Sequence, residues 1–128
     1  MYKYWAEVLR VVDGDTVDML IDLGFDVWVK QRIRLLGIDT AEKKHPLGKA
    51  TKKTMADQLE GEIILIEVTK PDQYGRYLGT LWLTEASISS INDQLYANGL
   101  AKLYDGGSKT SLWTAEELSV AAVGVVFE

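Results

Sequence analysis

A mainly β fold with helices, built on a small five-stranded barrel, is what this sequence predicts. Three observations point there. Five stretches are strand-like, rich in β-branched and aromatic residues or alternating apolar with polar. Turn-forming clusters punctuate them: Asp13-Gly14-Asp15, Leu23-Gly24-Phe25-Asp26 and Tyr74-Gly75-Arg76. Two further stretches carry helix caps and stops, one after the third strand and one after the fifth.

The elements follow in order. Residues 2–12 mix aromatic, β-branched and charged types and form the first strand. Thr16 to Asp22 sets Val17, Met19 and Ile21 against Asp18, Leu20 and Asp22, the pattern of a half-buried second strand. Leu23 to Asp26 is a hairpin turn, and Val27 to Ile38 is read as one long third strand. Arg32 and Arg34 then share a strand face, because side chains alternate with period two. Glu42 to Pro46 is a polar loop. Gly48 to Glu60 is a helix with Thr51, Met55 and Leu59 at helical spacing and Gly61 as its stop. Glu62 to Thr69 and Tyr77 to Thr84 are the fourth and fifth strands, joined by a turn-rich loop over 70–76. Ser90 to Asn98 is a second helix with Ser90 as N-cap and Gly99 past its end. Gly106-Gly107-Ser108 is a loop, and Trp113 to Val120 a short third helix capped by Thr114. No element is assigned to Ser119 to Glu128. Three strands, a helix, two strands and a helix fit a Greek-key barrel of the OB type with two to three helices.

The totals set bounds. The 128 residues suit one domain, spanning 1–128. The net charge of −5 argues against a protein that coats nucleic acid by neutralising phosphates, since such proteins carry a basic face. With no cysteine, a disulfide scaffold and a thiolate zinc site are excluded. No apolar run reaches the roughly 18 residues of a membrane span, so no membrane partner is expected. The first residues show no apolar core of a signal peptide, which makes a cytoplasmic location the default expectation. A monomer is likewise the default.

The chemistry concentrates in Arg32-Ile33-Arg34-Leu35-Leu36-Gly37-Ile38-Asp39-Thr40-Ala41-Glu42. A strand bearing arginines runs into a loop bearing carboxylates. Asp39 suits a hard cation, Glu42 follows three residues on, and Arg34 lies just upstream. Asp13-Gly14-Asp15-Thr16 and Tyr74-Gly75-Arg76 add a carboxylate loop and another arginine. Taken singly, each has an ordinary use. Asp13 and Asp15 can shape a turn. Arg34 can form a rim salt bridge with an acid such as Glu67, and Tyr74-Gly75-Arg76 can be a plain hairpin.

Taken together, Asp13-Gly14-Asp15-Thr16, Arg34 to Glu42 and Asp72-Gln73-Tyr74-Gly75-Arg76 resemble the signatures of the staphylococcal nuclease-like family, the thermonucleases. Lys44-His45-Pro46 and Ile91 to Lys102 resemble its later segments, so the likeness runs over about residues 5–104. The resemblance implies a calcium-dependent endonuclease on an OB barrel, hydrolysing DNA and RNA to leave 3′-phosphate ends. It implies Asp15 and Asp39 as carboxylate ligands of Ca²⁺ and Thr40 as a backbone-carbonyl ligand. Oxygen ligands of this kind suit calcium, with waters and a phosphate oxygen filling the other positions. Arg34 and Arg76 match the phosphate-binding arginines, whose planar forks fit phosphate oxygens. Glu42 matches the glutamate assigned as general base. Tyr74 matches a tyrosine near the nucleotide, and Tyr104 is a second candidate for that cleft.

The chain also departs from the family pattern. Ala41 stands where a proline is frequent, the loop after Glu42 is short, and the basic C-terminal helix of secreted members is replaced by a segment with Glu116 and Glu117. These changes predict weak non-specific DNA affinity and a preference for single strands. The alternative function is a non-catalytic OB module that binds nucleic acid or protein. Such modules lack the acids and arginines that this chain keeps. Lys43, Lys44, Lys49, Lys52 and Lys53 form one basic cluster beside the candidate site.

Overall fold

The computed structural model describes residues 2–69, 71, 74–107 and 113–128. Lys70, Asp72 and Gln73 of the expected hairpin loop, and Ser108 of the glycine loop, lie outside the described residues. The elements are β1 (Lys3–Asp13), β2 (Thr16–Asp22), β3 (Trp28–Leu35), β4 (Ile38–Thr40), α1 (Pro46–Leu59), β5 (Ile63–Val68), β6 (Tyr77–Trp82), α2 (Ile91–Ala97), β7 (Ala101–Leu103) and α3 (Ala115–Leu118).

Five strands close into a barrel in the order β1-β2-β3-β6-β5, the expected fold. Neighbours are antiparallel except β3 and β6, which run parallel over Ile33↔Tyr77, Arg34↔Leu78 and Leu35↔Gly79. The long β1 pairs with both β2 and β5, bending through register shifts after Val8 and Val11. Alternation sends Val17, Met19 and Ile21 of β2, Ile33 and Leu35 of β3, and Ile64 and Ile66 of β5 inward. Met55 and Leu59 of α1, Ile91 and Leu95 of α2, and Phe127 join the same core. No helix among the described residues is long and apolar enough to cross a membrane.

The expected third strand is two. It breaks at Leu36-Gly37, where Gly37 takes φ +82, a conformation open to glycine at little cost. The chain leaves the barrel there, and β4 pairs with β7 in a separate two-stranded sheet, Asp39 opposite Lys102. Three-residue strands carry too little alternation to be read in advance. The first helix also begins earlier than expected, at Pro46, whose missing N–H costs nothing in the first turn. The caps behave as read: Ser90 accepts from the Asp93 N–H, and Thr114 and Glu117 form a reciprocal capping box. The unassigned tail is held by glutamine side chains. The Gln58 amide donates to the Val125 carbonyl and accepts from the Phe127 N–H, both at 2.8 Å. Gln94 does the same to Glu128 at 2.9 Å.

Gly48 ties α1 to the loop before it. A Cβ there would fall 1.9 Å from the Glu42 carbonyl oxygen, which also accepts from the His45 N–H at 3.0 Å. Gly48→Ala must therefore push the Ala41–Glu42 backbone away from the helix. It should destabilise the protein by roughly 1–3 kcal/mol, the range for overpacking, read from the urea midpoint.

Candidate active site

The site grows from two turns and one strand end. Gly14 packs against β4 and α1, for its Cβ would lie 2.9 Å from both Thr40 Oγ1 and Thr51 Cγ2. That close approach seats Asp15 beside β4. Asp15 Oδ2 accepts from the Thr40 N–H at 3.0 Å, and Oδ1 accepts from Thr16 Oγ1 at 3.1 Å. The Leu35 N–H donates to the Asp15 carbonyl at 2.8 Å, fixing the turn to the end of β3. Asp39 and Thr40 are buried on β4, and Glu42 follows in the loop with its side chain 72% exposed.

Asp15, Asp39, Thr40 and Glu42 line one cleft of about 350 Å³, together with Asp13, Ala41, Lys43 and Lys44. The polar atoms these acids and the backbone offer are hard oxygens, which suit Ca²⁺ or Mg²⁺ rather than a soft metal. No group of three or more His, Cys, Asp or Glu side chains among the described residues is placed to hold a metal by itself.

Arg34 joins this cleft to its neighbours. Arg32 and Arg34 do share the outer face of β3, yet their surroundings differ. The Arg32 side chain is 60% exposed and that of Arg34 only 5%. Arg34 sits where the chain turns into β4, within reach of that strand's backbone and of Tyr104. Its Nη1 donates to the Ile38 carbonyl at 2.9 Å and the Leu35 carbonyl at 3.2 Å. Nη1 also lies 3.4 Å from Asp15 Oδ2, and Nη2 donates to Asp39 Oδ1 at 3.2 Å. Its partners are thus the two cleft carboxylates rather than Glu67, and the Tyr104 ring lies 5.6 Å from its guanidinium.

Arg76 stands just before β6, exposed, with the Tyr74 ring 5.2 Å away. It shares two smaller clefts with Arg34, one of about 190 Å³ that also includes Leu36, Tyr104 and Asp105, the other about 210 Å³. Arg76 does not line the acidic cleft. Arg34 is therefore the bridge between a carboxylate side and an arginine side. Tyr104 faces the arginine side, and its hydroxyl donates to the Gly107 carbonyl at 2.7 Å. Tyr74 lines none of the three clefts but lies beside Arg76, which lines two of them.

Sequence reasoning gave Asp13 only a turn role. The structure puts it on the acidic cleft, 3.9 Å from the Lys43 ammonium. Lys44, read only as part of the basic cluster, lies 3.2 Å from Glu42, and Asp18, read only as a strand residue, faces Arg32 across β2 and β3. No local pattern announces these contacts, because strand register and loop closure create them.

With this geometry in view, comparison with known proteins is direct. The model of the staphylococcal nuclease homologue family matches residues 32–122. The chain belongs to that family. The match begins after the Asp13–Thr16 turn and so does not include Asp15. Among known proteins similar to this chain, protein ParB of Escherichia coli is 33% identical over 112 residues, covering 78% of this chain and 59% of that protein. An uncharacterized endonuclease of Escherichia coli is 31% identical over 100 residues, covering 78% and 61%. A micrococcal nuclease of Shigella flexneri is 29% identical over 112 residues, covering 78% and 60%. The chain spans about three-fifths of the length of these relatives.

Two outcomes are expected from the charge pairs. Arg34→Met removes the guanidinium with which both buried carboxylates pair. It should cost about 3–5 kcal/mol, the range for breaking a buried ion pair, measured by denaturant unfolding. The Arg32 hydrogen bond holds the Asp18 carboxyl below its usual range. That contribution to stability is present above the ordinary carboxylate pKa of about 3.9 and is lost as pH falls through the lower folded value. Asp18→Asn should thus be less stable than the parent at neutral pH, with the gap closing in strong acid, read from urea midpoints across pH.

Proposed function

We propose that this chain is a calcium-dependent endonuclease, a phosphodiesterase that hydrolyses DNA, RNA or both to 3′-phosphate products. The observation that carries the reading is the buried Arg34 guanidinium within 3.4 Å of both Asp15 and Asp39. Two carboxylates, one from the β1–β2 turn and one from β4, and a phosphate-fitting fork converge at one point. Family membership, with relatives described as nucleases, supports the same reaction class.

Asp15, Asp39 and the Thr40 carbonyl would hold Ca²⁺ at the floor of the acidic cleft. When bound, the ion supplies Lewis-acid polarisation of the scissile phosphate and leaves positions open to water and substrate. The residues do the rest. Glu42, exposed at the rim, accepts a proton from the attacking water. The water oxygen bonds to phosphorus, the bond from phosphorus to the 5′-oxygen breaks, and that oxygen leaves with a proton from solvent. The phosphate stays on the 3′ side. Arg34 and Arg76 donate to the phosphate oxygens as charge builds on them. Tyr74 and Tyr104, each beside one of these arginines, offer aromatic faces to bases next to the cut. The retained acids and arginines speak against a purely binding OB module.

Purified protein should degrade heat-denatured DNA with Ca²⁺ and stop when chelator is added, with duplex DNA cut more slowly. Glu42→Gln and Arg76→Ala should each lose on the order of 10² to 10⁴ in rate while circular dichroism and the unfolding midpoint stay close to the parent. Robust cleavage by both variants would overturn the assignment. Calcium should also raise the melting temperature of the parent protein and have little effect on Asp39→Asn. At a hundredfold excess over Kd the stabilisation is about 2.7 kcal/mol.

A further inference from the structure

The acidic cleft poses an electrostatic problem for the reading above. Asp13, Asp15, Asp39 and Glu42 face a polyanionic substrate in a chain of net charge −5. Lysines are arranged where they offset this. Lys43 and Lys44 line the cleft itself. Lys49, Lys52 and Lys53 continue along the first half of α1, which starts directly after the cleft loop. The Lys49 N–H donates to the His45 carbonyl at 3.0 Å, so the loop and helix form one continuous piece. The helix buries Leu47, Gly48, Thr51, Met55 and Leu59. At 3.6 residues per turn, Lys49 and Lys53 fall on the opposite face, and both are exposed, with Lys52 half-buried at the flank; the Lys53 ammonium pairs there with Asp57 at 2.5 Å, an exposed i,i+4 pair that a phosphate would displace.

We propose that this line of lysines is a track for the phosphodiester backbone of the substrate strand to one side of the cut. It rests on the nuclease reading and adds the kind of substrate: a strand that extends several nucleotides past the scissile bond. Lysine is a compact point charge on a flexible stem. A row of them contacts phosphates without reading bases, so the track is indifferent to sequence. Lys49 and Lys53 lie about 6 Å apart along the helix axis by the 1.5 Å rise per residue, a step that spans neighbouring phosphates. Their field also falls on the rim of the cleft, where it raises the local concentration of polyanion against the carboxylates.

The test is binding of a fluorescent single-stranded oligonucleotide in chelator, where cleavage is stopped, at several salt concentrations. Each phosphate contact contributes about 0.7 to the slope of log K against log salt for single strands. Lys49→Gln combined with Lys53→Gln should flatten the slope by roughly 1.4 and weaken binding at low salt. Lys30→Gln, on the exposed start of β3 opposite Leu20, should leave the slope as in the parent. An unchanged slope in the double variant, or an equal drop in Lys30→Gln, overturns the track. The outcome is separable from the catalytic reading. A chain that cleaves DNA with an unaltered slope keeps the nuclease and loses the track. A chain that binds through Lys49 and Lys53 without cleaving keeps the track and loses the catalysis.

Discussion

The placement of one guanidinium governs this molecule. Arg34 is almost fully buried and carries a full charge. Such a group is tolerated only where opposite charge and hydrogen-bond acceptors surround it. Asp15 comes from the β1–β2 turn, Asp39 from β4, and two backbone carbonyls from the corner between β3 and β4. These pieces are held in register by the barrel and by the glycine contacts at Gly14 and Gly48. The same arrangement that satisfies Arg34 gathers the carboxylates of the cleft. Stability and proposed chemistry thus draw on one set of contacts.

That set also explains the division of the surface. On one side of Arg34 lie acids and a basic rim; on the other lie Arg76, Tyr104 and apolar walls from Leu36 and Leu78. Carboxylate oxygens thus face the junction on one side and hydrogen-bond donors on the other. The acidic balance of the whole chain says little about this junction, where the charges are local.

The fold was legible wherever short-range chemistry decides structure. The cap at Ser90 and the box at Thr114 with Glu117 are satisfied by residues three positions on, and the strand Thr16–Asp22 shows in its own alternation. The parts that escaped depend on distant partners. β4 and β7 exist because each is the other's partner, across the sixty positions 41–100 that lie between them. The tail is held by glutamines of α1 and α2, and nothing in its own composition announces that. The candidate residues were legible for a different reason: acids and arginines are dense around 32–42, and the family pattern spans three segments. What the sequence withheld was who touches whom. Asp15 and Asp39 as joint partners of Arg34, Asp13 on the cleft and Arg76 on the far side of Arg34 all follow from barrel closure.

The break at Gly37 has a consequence for the two central carboxylates. Asp15 belongs to the barrel, whereas Asp39 belongs to the small sheet of β4 and β7. They meet at Arg34, along the seam between the two sheets. Lys102 lies opposite Asp39 in that small sheet. Its ammonium is tied to Glu117, whose carboxyl it holds below the usual range, and sits 5.0 Å from the Trp113 ring. The seating of the C-terminal segment against β7 therefore sets how firmly the outer lip of the seam is braced. Changes there, remote from any acid or arginine of the cleft, would tune how Asp15 and Asp39 are spaced about Arg34.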